Sequence, residues 1–232
     1  MSKLICDIQC VDAFLWLKNL ESESVDLIVT DPPYESLEKY RAIGTTTRLK
    51  ISKGSSNEWF PIILNDRFEE LFSSLYRVLK NNRHFYLFCD SETMFIVKPI
   101  AEKIGFKFWK PIIWDKMKIG MGYHYRARYE NILFFEKGKR KLNDLSVPDI
   151  LACERVFRGY PTEKPTRLSE ILINQSTNIG DVIIDPFSGS GSVAEAAVKN
   201  KRQFLGCDIQ QHAVDLCKKR INDLCIEYTS LV

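Results

Sequence analysis

Val25-Asp26-Leu27-Ile28-Val29-Thr30-Asp31-Pro32-Pro33-Tyr34 is the stretch whose reading orders the rest of the chain. The apolar run over 25–30 is too short for a helix and is closed by prolines. It therefore predicts a buried strand that delivers an acid, two rigid residues and an aromatic to one end of a sheet. Each proline fixes its own φ and restricts the residue before it, so Asp31 and Pro32 are held extended while two backbone donors are missing. The resulting turn is stiff and rich in acceptors. Its carboxylate and a free carbonyl suit the amino group of a flat molecule such as a nucleic-acid base, with the Tyr34 ring stacked on the face. An ordinary strand-ending turn with a core tyrosine is the competing reading, because Asp and Pro are common turn formers.

A second turn of the same build lies near the other end. Asp181-Val182-Ile183-Ile184-Asp185 reads as a buried strand, and Pro186-Phe187-Ser188-Gly189-Ser190-Gly191 leads into a helix over 192–199. Glycines let backbone N–H groups approach a ligand, and the helix N-terminus favours negative charge. A strand over 203–207 follows, ending at Asp208, and then an amphipathic helix over 211–224. The spacing Gly189-x-Gly191-x-x-Ala194, with an acid about twenty residues on, satisfies a nucleotide-binding fingerprint in its proper strand–turn–helix context.

Between the two turns the pattern alternates. A strand over 4–9 precedes Asp12, which can cap a helix carrying Ala13, Leu17 and Leu20 or contact a ligand at the strand end. Phe68, Leu71, Phe72, Leu75, Val78 and Leu79 predict an amphipathic helix over 66–80, stopped by Asn81-Asn82. A strand over 85–89, a helix over 92–104 ending at Gly105, strands over 108–114 and 129–135, and a helix over 168–176 complete the series. Two basic segments interrupt it. The polar stretch of about 25 residues after Tyr34 holds Arg41, Arg48, Lys50 and Lys53 and reads as a mobile flap. The segment 116–128, with Lys116, Tyr123, Tyr125, Arg126 and Arg128 among glycines, suits phosphate contact and base stacking, a solvated loop being the plainer alternative.

With 232 residues, 45% hydrophobic and 27% charged, the chain fits a single globular domain, and a formal charge of +3 is too small to identify a polyanionic partner by itself. No N-terminal apolar segment and no apolar run of ~18 residues appears, so a cytoplasmic location is the expectation. The seven cysteines lack any Cys-x-x-Cys pair and sit mostly in apolar runs, which predicts buried free thiols. With three histidines and no ligand spacing, no metal is expected.

Asp31-Pro32-Pro33-Tyr34 together with Asp185-Pro186-Phe187-Ser188-Gly189-Ser190-Gly191 resembles the signature pair of the amino-directed DNA methyltransferases, which methylate adenine N6 or cytosine N4 from S-adenosylmethionine. The order of the two motifs is similar to the permuted β class. Trp114-Asp115-Lys116, Glu130 at the head of a strand, and Tyr160-Pro161-Thr162-Glu163-Lys164-Pro165 extend the resemblance over most of the chain. It departs at Tyr160, where the family usually has His, and at Ser192, where it has Thr.

The resemblance implies a Rossmann-like α/β fold with an open, mostly parallel sheet in permuted motif order, forming one catalytic domain over 1–232 with a small target-recognition segment at about 138–162. It assigns Asp31, Pro32, Pro33 and Tyr34 to the reacting base. Asp12, Asp31, Lys164, Asp185, Phe187, Gly189, Gly191 and Asp208 fall to the cofactor. Arg41, Arg48, Lys50, Lys116, Arg126 and Arg128 are the expected DNA contacts. The expected activity is site-specific methylation of adenine N6 in double-stranded DNA, with a homodimer and a cognate restriction enzyme as further partners. Methylation of cytosine N4 or of RNA, a nucleotide-dependent oxidoreductase, and a catalytically silent DNA-binding protein are the rival readings. No Pro-Cys dipeptide is present, which argues against methylation of a cytosine ring carbon through a cysteine nucleophile.

Overall fold

The computed structural model describes residues 5–36, 61–120, 125–157, 160 and 162–229, with side chains to residue 224. Arg41, Arg48, Lys50 and Lys53, the rest of the basic stretch over 37–60, and Tyr123 lie outside the described residues.

Among the described residues eight strands form one sheet, with helices on both faces. In chain order they are β1 (Cys6–Cys10), α1 (Ala13–Asn19), β2 (Val25–Thr30), α2 (Phe68–Val78), β3 (Leu79–Cys89), α3 (Ser91–Ile104), β4 (Lys107–Asp115), β5 (Tyr129–Lys137), β6 (Ile150–Ala152), α4 (Thr166–Ser176), β7 (Val182–Asp185), α5 (Ser192–Lys199), β8 (Gln203–Asp208) and α6 (Gln211–Thr229). Across the sheet the order is β1-β8-β7-β2-β3-β5-β4-β6. All pairings are parallel except those of β5, which runs against both β3 and β4. The expected open, mostly parallel sheet is therefore present.

β2 lies near the middle and is buried along its whole length, as its apolar run requires. Its one charged residue, Asp26, is 3% exposed and is compensated. Lys80 donates to it at 2.8 Å, Arg83 at 2.9 Å and the Val182 N–H at 3.0 Å. Burial would favour the neutral acid, but these donors outweigh it and hold its pKa below the usual carboxylate value. On one face, Phe68, Leu71, Phe72, Leu75 and Val78 of α2 pack with Phe85 and Phe135. On the other, Leu168, Leu172 and Ile173 of α4, Ala194 and Ala197 of α5 and Val214 of α6 cover Leu27, Val29 and Ile183.

Three expectations need correction. Asn81 and Asn82 do not stop a helix in a loop. α2 ends at Val78 and β3 starts at once, the junction being taken up by a register shift in the β2–β3 pairing and by Asn82 at φ +57°. The segment at about 138–162, for which no strand was expected, contains a short one, β6, paired with β4. The six described cysteines are free, but only Cys89, Cys207 and Cys217 of them are buried. Cys6 and Cys10 lie on edge strand β1, where only Ile8 is covered. No helix among the described residues is long and apolar enough to cross a membrane.

Candidate active site

Chain connections diverge between β7 and β2: β2 leads through α2 to β3 on one side, and β7 leads through α5 to β8 on the other. A crevice opens at the carboxyl ends of the strands at such a switch point. Here it is a cleft of about 840 Å³ whose lining includes Asp12, Asp31, Asp185 and Asp208, the four acids that the resemblance assigned to the cofactor. Asp185 and Asp208 end β7 and β8, Asp31 follows β2, and Asp12 caps α1 just after β1.

The Pro-Pro turn is braced by neighbouring segments. The Ile63 N–H donates to the Pro33 carbonyl at 2.7 Å, and Ser36 Oγ donates to Asp90 at 2.7 Å. Tyr34 is 8% exposed and lines the cleft with Pro32 and Pro33; burial pushes its phenol up, so it stays neutral.

The glycine turn carries two left-handed residues, Gly189 at φ +48° and Gly191 at φ +86°. That backbone aims the Gly189 N–H at Asp208 Oδ2, 2.9 Å away, while the Gln210 N–H donates to Oδ1 at 2.9 Å. A Cβ on Gly189 would stand 3.5 Å from the Tyr160 ring, so Tyr160, the departure from the family's His, lies across this turn. Glu163 ties the two segments together: it accepts from Ser190 Oγ at 3.1 Å, from the Tyr160 N–H at 3.1 Å and from Arg220 at 2.5 Å. Asp12 accepts from the Phe14 and Leu15 N–H groups at 3.0 and 3.1 Å, and so does the capping expected of it while also lining the cleft.

Asp185 is 3% exposed. Burial pushes its pKa up to about 7, against the lowering effect of the Thr30 hydroxyl and the Phe187 N–H, which donate to it at 2.7 and 3.0 Å. An acid raised in the folded state binds more protons there than when unfolded. Its contribution to stability is thus full below its unfolded pKa and is lost as pH rises through about 7. Asp185→Asn is expected to flatten the fall in denaturant midpoint between acid and neutral pH; an unaltered slope would contradict this account of Asp185.

Four charges alternate beside the Pro-Pro turn. Lys164 donates to Asp31 and lies 3.5 Å from Glu130 Oε2, and Lys116 lies 2.5 Å from Glu130 Oε1. Burial would favour the neutral amine of Lys164, but the carboxylates of Asp31 and Glu130 outweigh it and push its pKa up. Burial would likewise raise Glu130, yet the two ammonium groups hold it low. Burial also raises Asp31, against the pull of Lys164. Sequence reasoning counted Glu130, at the head of its strand, toward the family resemblance but gave it no role in the site.

Lys116 is thus turned toward Glu130 and lines the cleft. Arg126 is exposed, and Arg128 holds Asp115 through two contacts of 2.6 and 2.7 Å. Phe157, also unassigned by sequence, lines the cleft at 51% exposure, with Lys118 5.1 Å and Arg155 4.7 Å from its ring.

Comparison with known proteins decides the family. A profile described as DNA methylase, for the N6 and N4 methyltransferases, matches residues 25–156 and 146–219. The chain belongs to this DNA methylase family. The methylase is 29% identical over 241 residues to the type II methyltransferase M.HpaI of Haemophilus parainfluenzae, covering 92% of this chain and 73% of the relative. It is 26% identical over 250 residues to the DNA adenine methyltransferase YhdJ of Escherichia coli strain K12, covering 91% and 81%. The methylase shares its fold with the solved M1.HpyAVI–SAM complex, at a TM-score of 0.69 and 24% identity over 93% of this chain and 100% of the other. It also shares it with the cytosine-N4-specific PvuII DNA methyltransferase, at 0.70 and 14% over 92% and 85%. These likenesses fix the Rossmann-like architecture of the methylase.

Proposed function

We propose that the protein transfers a methyl group from S-adenosylmethionine to N6 of an adenine flipped out of double-stranded DNA. The observation that carries this reading is the adjacency of the two turns: Asp31 and Asp185 leave neighbouring, hydrogen-bonded strands at the same end of the sheet and line one cleft.

The cleft suits the donor. Gly189, left-handed at φ +48°, presents bare backbone on the cleft wall beside the Tyr160 ring. Each oxygen of Asp208 accepts one backbone N–H, and a carboxylate keeps further lone pairs for ribose hydroxyls. Asp12, Phe187, Lys164 and the two strand-end acids Asp31 and Asp185 line the same cleft and complete the proposed cofactor contacts, whereas Gly191, expected among them, packs against Cys217 of α6 and shapes the turn from behind. When bound, S-adenosylmethionine supplies an electrophilic methyl group on a sulfonium.

The chain's own part is to hold the amine. Asp31 and the Pro32 carbonyl accept from the exocyclic N–H bonds; the Pro33 carbonyl is already taken by Ile63. Accepting both hydrogens draws the nitrogen lone pair out of conjugation with the ring, and Tyr34 fixes the ring by stacking. The remainder is positioning and electrostatics, with no covalent enzyme intermediate.

Adenine is chosen over cytosine because the motif begins with Asp31 and because a DNA adenine methyltransferase is among the relatives. Assignment to the β class is supported by motif order, the Pro-Pro turn preceding the glycine turn in the chain. The type II relatives support a cognate restriction enzyme as partner, and the shortness of the proposed recognition segment, about 138–162, supports a homodimer sharing one site.

Sequencing DNA methylated by the protein with modified-base detection tests the proposal. N6-methyladenine at one motif is the expected result. N4-methylcytosine would overturn the choice of base, and methyl incorporation into RNA alone would overturn the choice of polymer. Arg126→Glu is expected to weaken DNA binding across sequences and to reduce the salt slope by about 0.9 for each lost phosphate contact. An unchanged slope removes Arg126 from the DNA interface.

A further inference from the structure

We infer that Glu130 is a second berth for the Lys164 ammonium: arrival of the target amine at Asp31 moves Lys164 onto Glu130 and converts Asp31 from a paired into an accepting carboxylate. This rests on the amino-methylation reading and adds a positioning pair to it.

In the structure Lys164 sits between the two carboxylates, on Asp31 and 3.5 Å from Glu130 Oε2. Its contact with Asp31 conflicts with the task proposed for that acid. An ammonium adds charge–charge attraction to the hydrogen bond that a neutral amine would make with the same carboxylate, so a base amine competes poorly while Lys164 stays in place. Glu130 resolves the conflict. Lys116 holds its Oε1 at 2.5 Å, which fixes the carboxylate and leaves Oε2 toward Lys164. The required movement is a change of hydrogen-bond length within reach of the lysine stem. It keeps two cations and two carboxylates together, so the cluster remains neutral throughout. The side chain of Lys164 is 11% exposed, and its ammonium lies 5.4 Å from the Phe88 ring, so a carboxylate, and not bulk water, is its nearby alternative. With Lys164 withdrawn, the charge of Asp31 is opposed only at longer range, as positive charge develops on the attacking nitrogen.

The test compares wild type, Glu130→Gln, Lys164→Met and the double variant, reading cofactor affinity and single-turnover methyl transfer at saturating cofactor. Glu130→Gln leaves Lys164 only Asp31 to pair with. It is expected to bind cofactor as wild type does and to transfer methyl about tenfold or more slowly. Adding Lys164→Met frees Asp31, so the double variant is expected to be several-fold faster than Glu130→Gln alone. The inference is overturned if Glu130→Gln keeps the wild-type rate, or if the double variant is no faster than Glu130→Gln. Should thermal melting show Glu130→Gln to be unfolded, Glu130→Asp replaces it. That variant sets the carboxylate one methylene back and is expected to slow transfer at unchanged cofactor affinity; an unchanged rate overturns the inference. The two ideas fail separately: wild type inactive on DNA defeats the methyltransferase reading, whereas active wild type with an indifferent Glu130→Gln defeats only the second berth.

Discussion

Asp31→Ala is expected to lower kcat for methyl transfer by about 10²–10³-fold, the scale on which a single prepositioned transition-state hydrogen bond acts. Cofactor binding should remain measurable, because the glycine turn, Asp208 and Asp12 hang on other strands. The substitution is also one the fold can bear. Lys164 loses its closest partner but keeps Glu130 3.5 Å away, so no buried cation is stranded, and the 28% exposure of the Asp31 side chain places it at the lip of the core. Loss of activity at an unchanged denaturant midpoint is the result that assigns Asp31 to the reaction. Near-normal turnover would remove it from the site. Asp31→Asn separates charge from shape: the amide keeps one acceptor oxygen but opposes Lys164 with a donor, so it should fall between alanine and wild type.

The second large effect is structural. Gly191 stands at φ +86° at the N-terminus of α5, and a Cβ there would lie 2.1 Å from Cys217 Sγ on α6. A left-handed alanine costs about 1–2 kcal/mol, and forcing a methyl group into a packed contact costs about 1–3 kcal/mol more. Gly191→Ala is therefore expected to destabilise the protein by about 2–5 kcal/mol, read as a lowered midpoint in urea at constant slope. Cofactor affinity should fall with it, because the shift lies in the turn proposed to hold the donor. In the Gly191→Ala/Cys217→Ala background the sulfur is gone, but the strain in φ and the 3.0 Å approach to the Cβ of residue 217 remain, so only part of the loss should return. Full recovery would locate the whole effect in the clash with the sulfur; no recovery would locate it in the backbone and the closer atoms of residue 217.

These contacts mark where sequence reading stops. Local rules identified both turns, because the two prolines, the two glycines and the flanking apolar runs act over a few residues. They also identified the helix faces, Phe68, Leu71, Phe72, Leu75 and Val78 being fully buried as their spacing required. They misjudged Asn81 and Asn82, which do turn locally, Asn82 at φ +57° where the β2–β3 register shifts, but only as an irregularity inside β3, because pairing with β2 resumes at His84. β6 is three residues long and alternates in exposure, too brief to carry a periodic signal. Pairings such as Lys164 with Asp31, Arg220 with Glu163 and Glu130 with Lys116 depend on how the strands are ordered across the sheet, which no local pattern encodes. Cys217 behind Gly191 belongs with them: the glycine was recognisable, but the sulfur that requires it sits on a different helix.

The pairing of β2 with β7 sets Leu27 opposite Ile183 and Ile28 opposite Ile184, and Thr30 Oγ1 donates across to Asp185. The two turns are therefore mounted on adjacent rungs, separated by the interstrand spacing of about 4.8 Å. The sheet then acts as a fixed gauge between donor and acceptor, already cut to length before either reactant arrives. Recognition of different DNA sequences can drift in the loops along the rim while the gauge stays the same, so one transfer geometry can serve many target sites.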